Sequence, residues 1–349
     1  MIAHGLRNNP AVEFWQYPPL PQSSRSKLDK LYDSGQAWED LNTNLIINPQ
    51  QLSEKIAQNT FDLVILADHQ EQLIQTSGVN WRQKLLGLRG RRVSLPPLPL
   101  PFAELCQRLP VAVIDLTDPP YLDPTHRTLL EHCAAYFKRE VPYNRFTLYH
   151  TLFPFQYIGQ SGKDPELLAL LDKVHGIPLG IQDDKFQRLI TRRAAEQDID
   201  VFWGGRISST MRRVAESRLR DFAARTSWNI VMPQAAMPFQ EYCRTVARSK
   251  ITLSVEGGGW DCDRHYEAAA LGSLPLMNTP TTDAVWWHPL PKDVFFANDF
   301  SDFASRIEAL LTNATLQAQC RQQVESQIRA RMLWSHVIDY IVTITCKIS

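Results

Sequence analysis

Residues able to do chemistry crowd into one stretch, Val255 to Glu267, which reads VEGGGWDCDRHYE. Glu256 opens it, Gly257, Gly258 and Gly259 follow, and Arg264 stands one helical turn ahead of Glu267. Consecutive glycines let a ligand approach the backbone, a helix start offers unpaired N–H groups to an anion, and a carboxylate on the first turn can accept ribose hydroxyls. Upstream, the run DVFWGGR ends in Gly205 and Arg206. A guanidinium at a strand end can fork onto a diphosphate and stabilise the charge that develops on a leaving nucleotide. Plainer roles stand beside these: Arg206 as a surface ion-pair partner, Glu267 as the partner of Arg264 or of the helix dipole.

Other candidates are more scattered. Trp260, with Trp286, Trp287 and His288, forms either an aromatic wall for a sugar ring or part of a core. Asp261 and Asp263 make a D-x-D pair, as do Asp198 and Asp200, and such pairs can hold a divalent metal under a diphosphate. Helix capping and turns account for both pairs, so no metal is expected. Asp68, His69 and Asp118 follow apolar runs in the first half, where a general base would face a cleft. GLRGRR at Gly87 to Arg92 reads as a solvated basic turn. GQSGKD at Gly159 to Asp164 is not a phosphate-binding P-loop, because no Ser or Thr follows Lys163.

The elements that must position these groups are legible in outline. Ile251 to Val255 is a short β-branched run, Arg264 to Leu271 has helical character, Gly272 stops it, and Leu274 to Met277 returns as a strand. That is a βαβ crossover whose loop lies at the carboxyl end of a parallel strand, where open α/β sheets bind ligands. Before it come a strand at Ile199 to Gly204, a helix at Thr210 to Ala224, a strand at Trp228 to Met232 and a helix at Phe239 to Arg248. After it come a strand at Val294 to Ala297 and helices over Ser301 to Leu311, Leu316 to Met332 and Trp334 to Thr345. An earlier β/α series runs through Phe61 to Ala67 and Pro110 to Leu116, with the proline-rich Ser94 to Pro101 as an extended connection. The expected layout is an α/β chain of two Rossmann-like domains facing a cleft, over 1–175 and 176–332, with 333–349 packing back on the first.

Composition bounds the partners. The 349 residues hold 37 Lys and Arg against 37 Asp and Glu, so no overall field recruits nucleic acid. Six scattered cysteines without a CxxC pair favour reduced thiols and a cytoplasmic address. No run approaches the roughly 20 apolar residues of a membrane span, which leaves only peripheral membrane contact open.

DVFWGGR and SKITLSVEGGGWDCDRHYEAAALGSLPLMN together resemble the nucleotide-binding half of glycosyltransferases with the GT-B fold. The resemblance is nearest to the bacterial CgeB-like family and extends to exostosin-like enzymes. YFKRE at Tyr136 to Glu140 and IPLGI at Ile177 to Ile181 resemble segments that such proteins carry near the domain junction. The similarity spans Tyr136 to Tyr340. It implies a GT-B-like fold and transfer of a sugar from a nucleotide-diphosphate sugar to a glycan or other hydroxyl-bearing acceptor, with the donor as co-substrate and no cofactor. Donor binding would fall to Gly205, Arg206, Glu256, Gly257, Gly258, Trp260, Arg264 and Glu267, and the base would come from Asp68, His69 or Asp118. The wider retaining families space two glutamates with seven residues between, which would put the first at Gly259; here ten residues lie between Glu256 and Glu267. A sugar-nucleotide epimerase on the same fold, or a catalytically silent nucleotide-sugar or glycan-binding protein, would share these features.

Overall fold

The computed structural model describes residues 2–7, 9, 12–16, 47–67, 100–118, 120–122, 126–149 and 169–348. Asp68, His69, the basic turn at 87–92, the proline-rich run before residue 100 and the 159–164 segment lie outside the described residues.

The first domain contains α1 (Ile2–Arg7), α2 (Pro49–Ala57), β1 (Val64–Ala67), α3 (Phe102–Arg108), β2 (Val111–Asp115), α4 (His126–His132), β3 (Ala135–Lys138) and β4 (Val174–Gly176). Its four strands pair in parallel in the order β1-β2-β3-β4. Every residue of β2 and β3 is buried, as a parallel sheet covered on both faces requires. Alternate residues serve opposite layers. Val111, Val113 and Tyr136 pack with Phe102, Leu105, Leu129 and Leu130 of α3 and α4, whereas Ala112, Ile114, Ala135 and Phe137 face the other side.

The second domain continues with α5 (Asp183–Ile190), β5 (Ile199–Phe202), α6 (Thr210–Ala223), β6 (Ile230–Val231), α7 (Phe239–Ala247), β7 (Ser249–Ser254), α8 (Asp263–Ala270), β8 (Leu274–Asn278), β9 (Phe295–Phe296), α9 (Phe303–Thr312) and α10 (Ala314–Gln327). Its sheet is parallel throughout, in the order β6-β5-β7-β8-β9. Gly272 ends α8 with φ +86, the left-handed conformation that the turn into β8 demands. Edge strands β6 and β9 are shorter than the apolar runs suggest, and Val294 belongs to a 3-10 turn, Lys292–Val294. The architecture is α/β with two Rossmann-like domains, a GT-B-like arrangement.

Two chain crossings join the domains. The first is the extended segment after β4; the second follows the π-turn Ile328–Met332, which leads into α11 (Trp334–Ile348). Ile181 N–H donates to Met332 O at 3.1 Å, Trp334 N–H to Ile181 O at 3.0 Å, and the Trp334 indole to Leu179 O at 3.0 Å, so the crossings are tied together. Beyond them, Trp334, Val337, Ile338 and Ile341 of α11 cover Ala112, Ile114 and Phe137 of the first sheet. Among the described residues no helix is long and apolar enough to cross a membrane.

Candidate functional site

Three arginines stand at the carboxyl ends of β5 and β7. Arg206 follows β5 in an exposed turn, Arg264 starts α8, and Arg212, absent from the candidates above, rises from the first turn of α6. Ser209 caps α6 by accepting Arg212 N–H at 3.2 Å, which fixes where the Arg212 side chain leaves the helix. Its Nε donates to Val255 O at 3.2 Å and Glu256 O at 2.9 Å, and its Nη1 to Arg206 O at 3.2 Å. Arg264 Nη2 donates to the same Val255 carbonyl at 2.7 Å, with its guanidinium 5.8 Å from the Trp203 ring. Among the described residues none of the three guanidiniums makes an ion pair. Burial first, and Arg264 beside it second, push Arg212 down to about 10. Arg264 Nε is buried without any hydrogen-bond partner. Two guanidiniums held by uncharged groups, with the exposed Arg206 on the adjoining turn, make a site for an anion.

The signal for Arg212 was in the sequence. Ala215, Leu219 and Phe222 make the buried stripe of α6, and Arg212 occupies the same stripe one turn earlier. A charge on an apolar stripe has to be met by buried polar groups, and here these are the ends of β7 and of the Arg206 turn.

The glycine loop between β7 and α8 faces protein rather than open space. A Cβ on Gly257 would run into the Arg212 guanidinium, one on Gly258 into the Asp118 carboxylate, and one on Gly259 into Glu140 and Arg139. The glycines therefore admit side chains of the first domain and of α6, where the sequence suggested room for a ligand. Asp118 is ion-paired with Arg139, and its half-exposed carboxylate sits against the glycine loop. Gly205 lies against the Trp203 indole.

Three sequence assignments change in detail. Trp260 is 1% exposed, donates through Nε1 to Asn278 O at 2.8 Å and packs against His265, Trp287 and Phe295, so its ring belongs to the core and offers no face to a sugar. Glu267 is buried and pairs with Lys185 of α5 at 2.8 Å, not with Arg264. Glu256 turns to β8, where Oε2 accepts Thr281 Oγ1 at 2.7 Å and Asn278 Nδ2 at 3.2 Å.

The aspartate pairs are also engaged. Asp198 pairs with Arg248, and Asp200 with Lys250 at 2.6 Å. Asp261 is buried and accepts Leu179 N–H at 2.7 Å and the Tyr266 hydroxyl at 2.8 Å, while Asp263 stays exposed. Neither caps α8. Cys262 is the N-cap and its side chain accepts no capping hydrogen bond from the first-turn backbone, which leaves the dipole end of the helix beside Arg264. The Cys262 sulfur lies 3.8 Å from His265 and 3.9 Å from Arg264 Nη2. Burial opposes ionisation of this thiol, but His265 and Arg264 prevail and bring it down to about 6.

Residues 190–343 match a family model described as glycosyl transferase-like. The matched segment takes in β5 to α10, all three arginines and the glycine loop, and amounts to under half of the chain. Among curated proteins nothing matches. The chain is similar to a chain in the crystal structure of the GtfA/B complex, with 10% identity and a TM-score of 0.46. That alignment covers 86% of this chain and 60% of the other, so this chain spans about three fifths of the length of its structural neighbour.

Proposed function

We propose that this protein is a glycosyltransferase that takes a sugar from a nucleoside-diphosphate sugar and passes it to a hydroxyl-bearing acceptor, without a metal. The observation that carries the proposal is the pair of guanidiniums of Arg212 and Arg264, both donating to Val255 O without an ion pair among the described residues, with the exposed Arg206 on the adjoining turn. A diphosphate supplies the missing negative charge, and α8 adds its N-terminal dipole. As the glycosidic bond breaks, charge grows on the leaving diphosphate, and the fixed guanidiniums stabilise that charge more than they stabilise the bound donor. Guanidiniums so placed can do the work for which other sites use a divalent cation. Glu267, with one oxygen on Lys185, keeps its other oxygen for a ribose hydroxyl.

The acceptor enters from the first domain. Asp118, held by Arg139 against Gly258, is the described carboxylate placed to take the acceptor proton. The match of residues 190–343 to a glycosyl transferase-like model supports the class of reaction, and kinship with CgeB-like or exostosin-like enzymes is the finer form of the same proposal. Incubation with a panel of nucleotide sugars, followed by chromatography of the released nucleoside diphosphate, tests it. Turnover of one donor, including slow hydrolysis without acceptor, is expected. Binding of nucleotide sugar with no release would make the protein a silent binder, and a change in the sugar with the diphosphate retained would make it an epimerase.

A further inference from the structure

Glu140 lies just past β3, where the first domain meets the glycine loop, and it is 1% exposed. Its Oε1 accepts Asp261 N–H at 3.0 Å, and its Oε2 lies 2.7 Å from Thr282 Oγ1. Both partners belong to the second domain. The carboxyl group thus bridges the seam between the domains.

The charged groups around it leave it poorly compensated. On its own segment, Lys138 is committed to Asp115 at 3.0 Å, and Arg139 reaches Glu140 only edgewise, its Nε 3.6 Å away, while its Nη2 serves Asp118. Arg139 Nε is left buried without a hydrogen bond. From the second domain Glu140 faces the buried carboxyl of Asp261, with His265 behind it. Asp283, next to Thr282, donates its backbone N–H to Val141 O at 2.6 Å and turns its carboxylate to His288 at 3.7 Å.

Both partners donate to Glu140, Asp261 through its N–H and Thr282 through its hydroxyl, and the neutral carboxyl accepts them without bringing a charge into the seam. Ionised, it places a charge in a dry seam beside a second carboxyl. We propose that Glu140 is a proton-controlled latch between the domains: neutral, it holds the glycine loop and Thr282 against the first domain; ionised, it lets the seam open. Burial pushes this group from 4.5 up to about 7 in the closed seam, and opening returns it to water. Closure is therefore fully favoured below 4.5 and is progressively lost as the pH rises to about 7 and beyond. Over that window the closed-to-open ratio falls on the order of a hundredfold. Since α8 follows the latched loop directly, access to the arginine cluster changes with it.

The inference rests on the seam and needs no donor. Hydrogen exchange at about pH 5.5 and about pH 8.5, corrected for intrinsic rates, is read on peptides covering 255–262 and 279–284, with small-angle scattering alongside. Wild-type protein is expected to lose protection more than about tenfold at the higher pH and to expand. Glu140→Gln keeps one acceptor and one donor without a charge, so its protection should stay at the acidic level at both pH values. A wild type that does not respond to pH, or a variant that follows the wild type, overturns the latch. Thr282→Val provides a second reading if the glutamine variant does not fold. It removes the hydroxyl that Glu140 holds across the seam and should lower protection at acid pH, where the seam is closed; unchanged protection at acid pH would likewise overturn the proposal.

Discussion

Replacing Arg206 with alanine removes a guanidinium that no described side chain holds. Its residue is exposed, and its backbone carbonyl, which receives Arg212 Nη1 at 3.2 Å, survives the substitution. Folding stability should therefore change by no more than about 0.5 kcal/mol, as at an ordinary surface position. Loss of a charge-assisted contact to a diphosphate should cost about 1.5 to 3 kcal/mol of binding, a ten- to hundredfold drop in affinity. Arg212 would give a less clean experiment, because its removal also strands the carbonyls of Val255, Glu256 and Arg206. Calorimetric titration with nucleoside diphosphates, paired with a thermal melt of each protein, measures both quantities. Unchanged affinity in a folded variant would refute the reasoning, and so would a melting temperature several degrees lower, since Arg206 would then be a structural residue.

Glu267→Gln should lower stability by about 1 to 3 kcal/mol, because it weakens the buried pair with Lys185, so its ribose role must be read from deoxyribose analogues. If wild type and variant discriminate equally against the analogue lacking the contacted hydroxyl, Glu267 does not hold the ribose. Asp118→Asn should leave donor affinity unchanged and, because it weakens the Arg139 pair, lower the melting temperature slightly, while turnover falls about a hundred- to ten-thousandfold; retained turnover would remove Asp118 as the base. Cys262 should alkylate at a rate that rises through about pH 6 and then levels, whereas Cys106 and Cys133, pushed up to about 12 chiefly by burial, should stay slow. Reactivity at Cys262 that climbs only near the ordinary thiol value of about 8.5 would contradict the imidazole and guanidinium effect.

The parallel βα steps from Ile199 to Asn278 were legible because buried parallel strands read as continuous apolar runs and their helices as amphipathic ones. The outer strands were harder, since a strand with one neighbour has half the ladder to define its ends. Across the site, the limit was distance along the chain. Arg264 and Glu267 look like a local pair in the sequence, yet Arg264 turns back to Val255 O and Glu267 finds Lys185 on a separate helix. Nothing near Gly258 and Gly259 announces that Asp118, Arg139 and Glu140 will press against them from the other domain. Trp260 shows the same limit, because an indole beside a glycine loop fits a wall or a core equally well until its neighbours are known.

The central claim is that three unpaired arginines hold a diphosphate, and paired titrations of a nucleoside diphosphate and its parent nucleoside test it most directly. The account predicts that the diphosphate binds at least about a hundredfold more tightly at low salt, with the advantage shrinking as ionic strength rises. Equal affinities for the two ligands, or an advantage indifferent to salt, would contradict it.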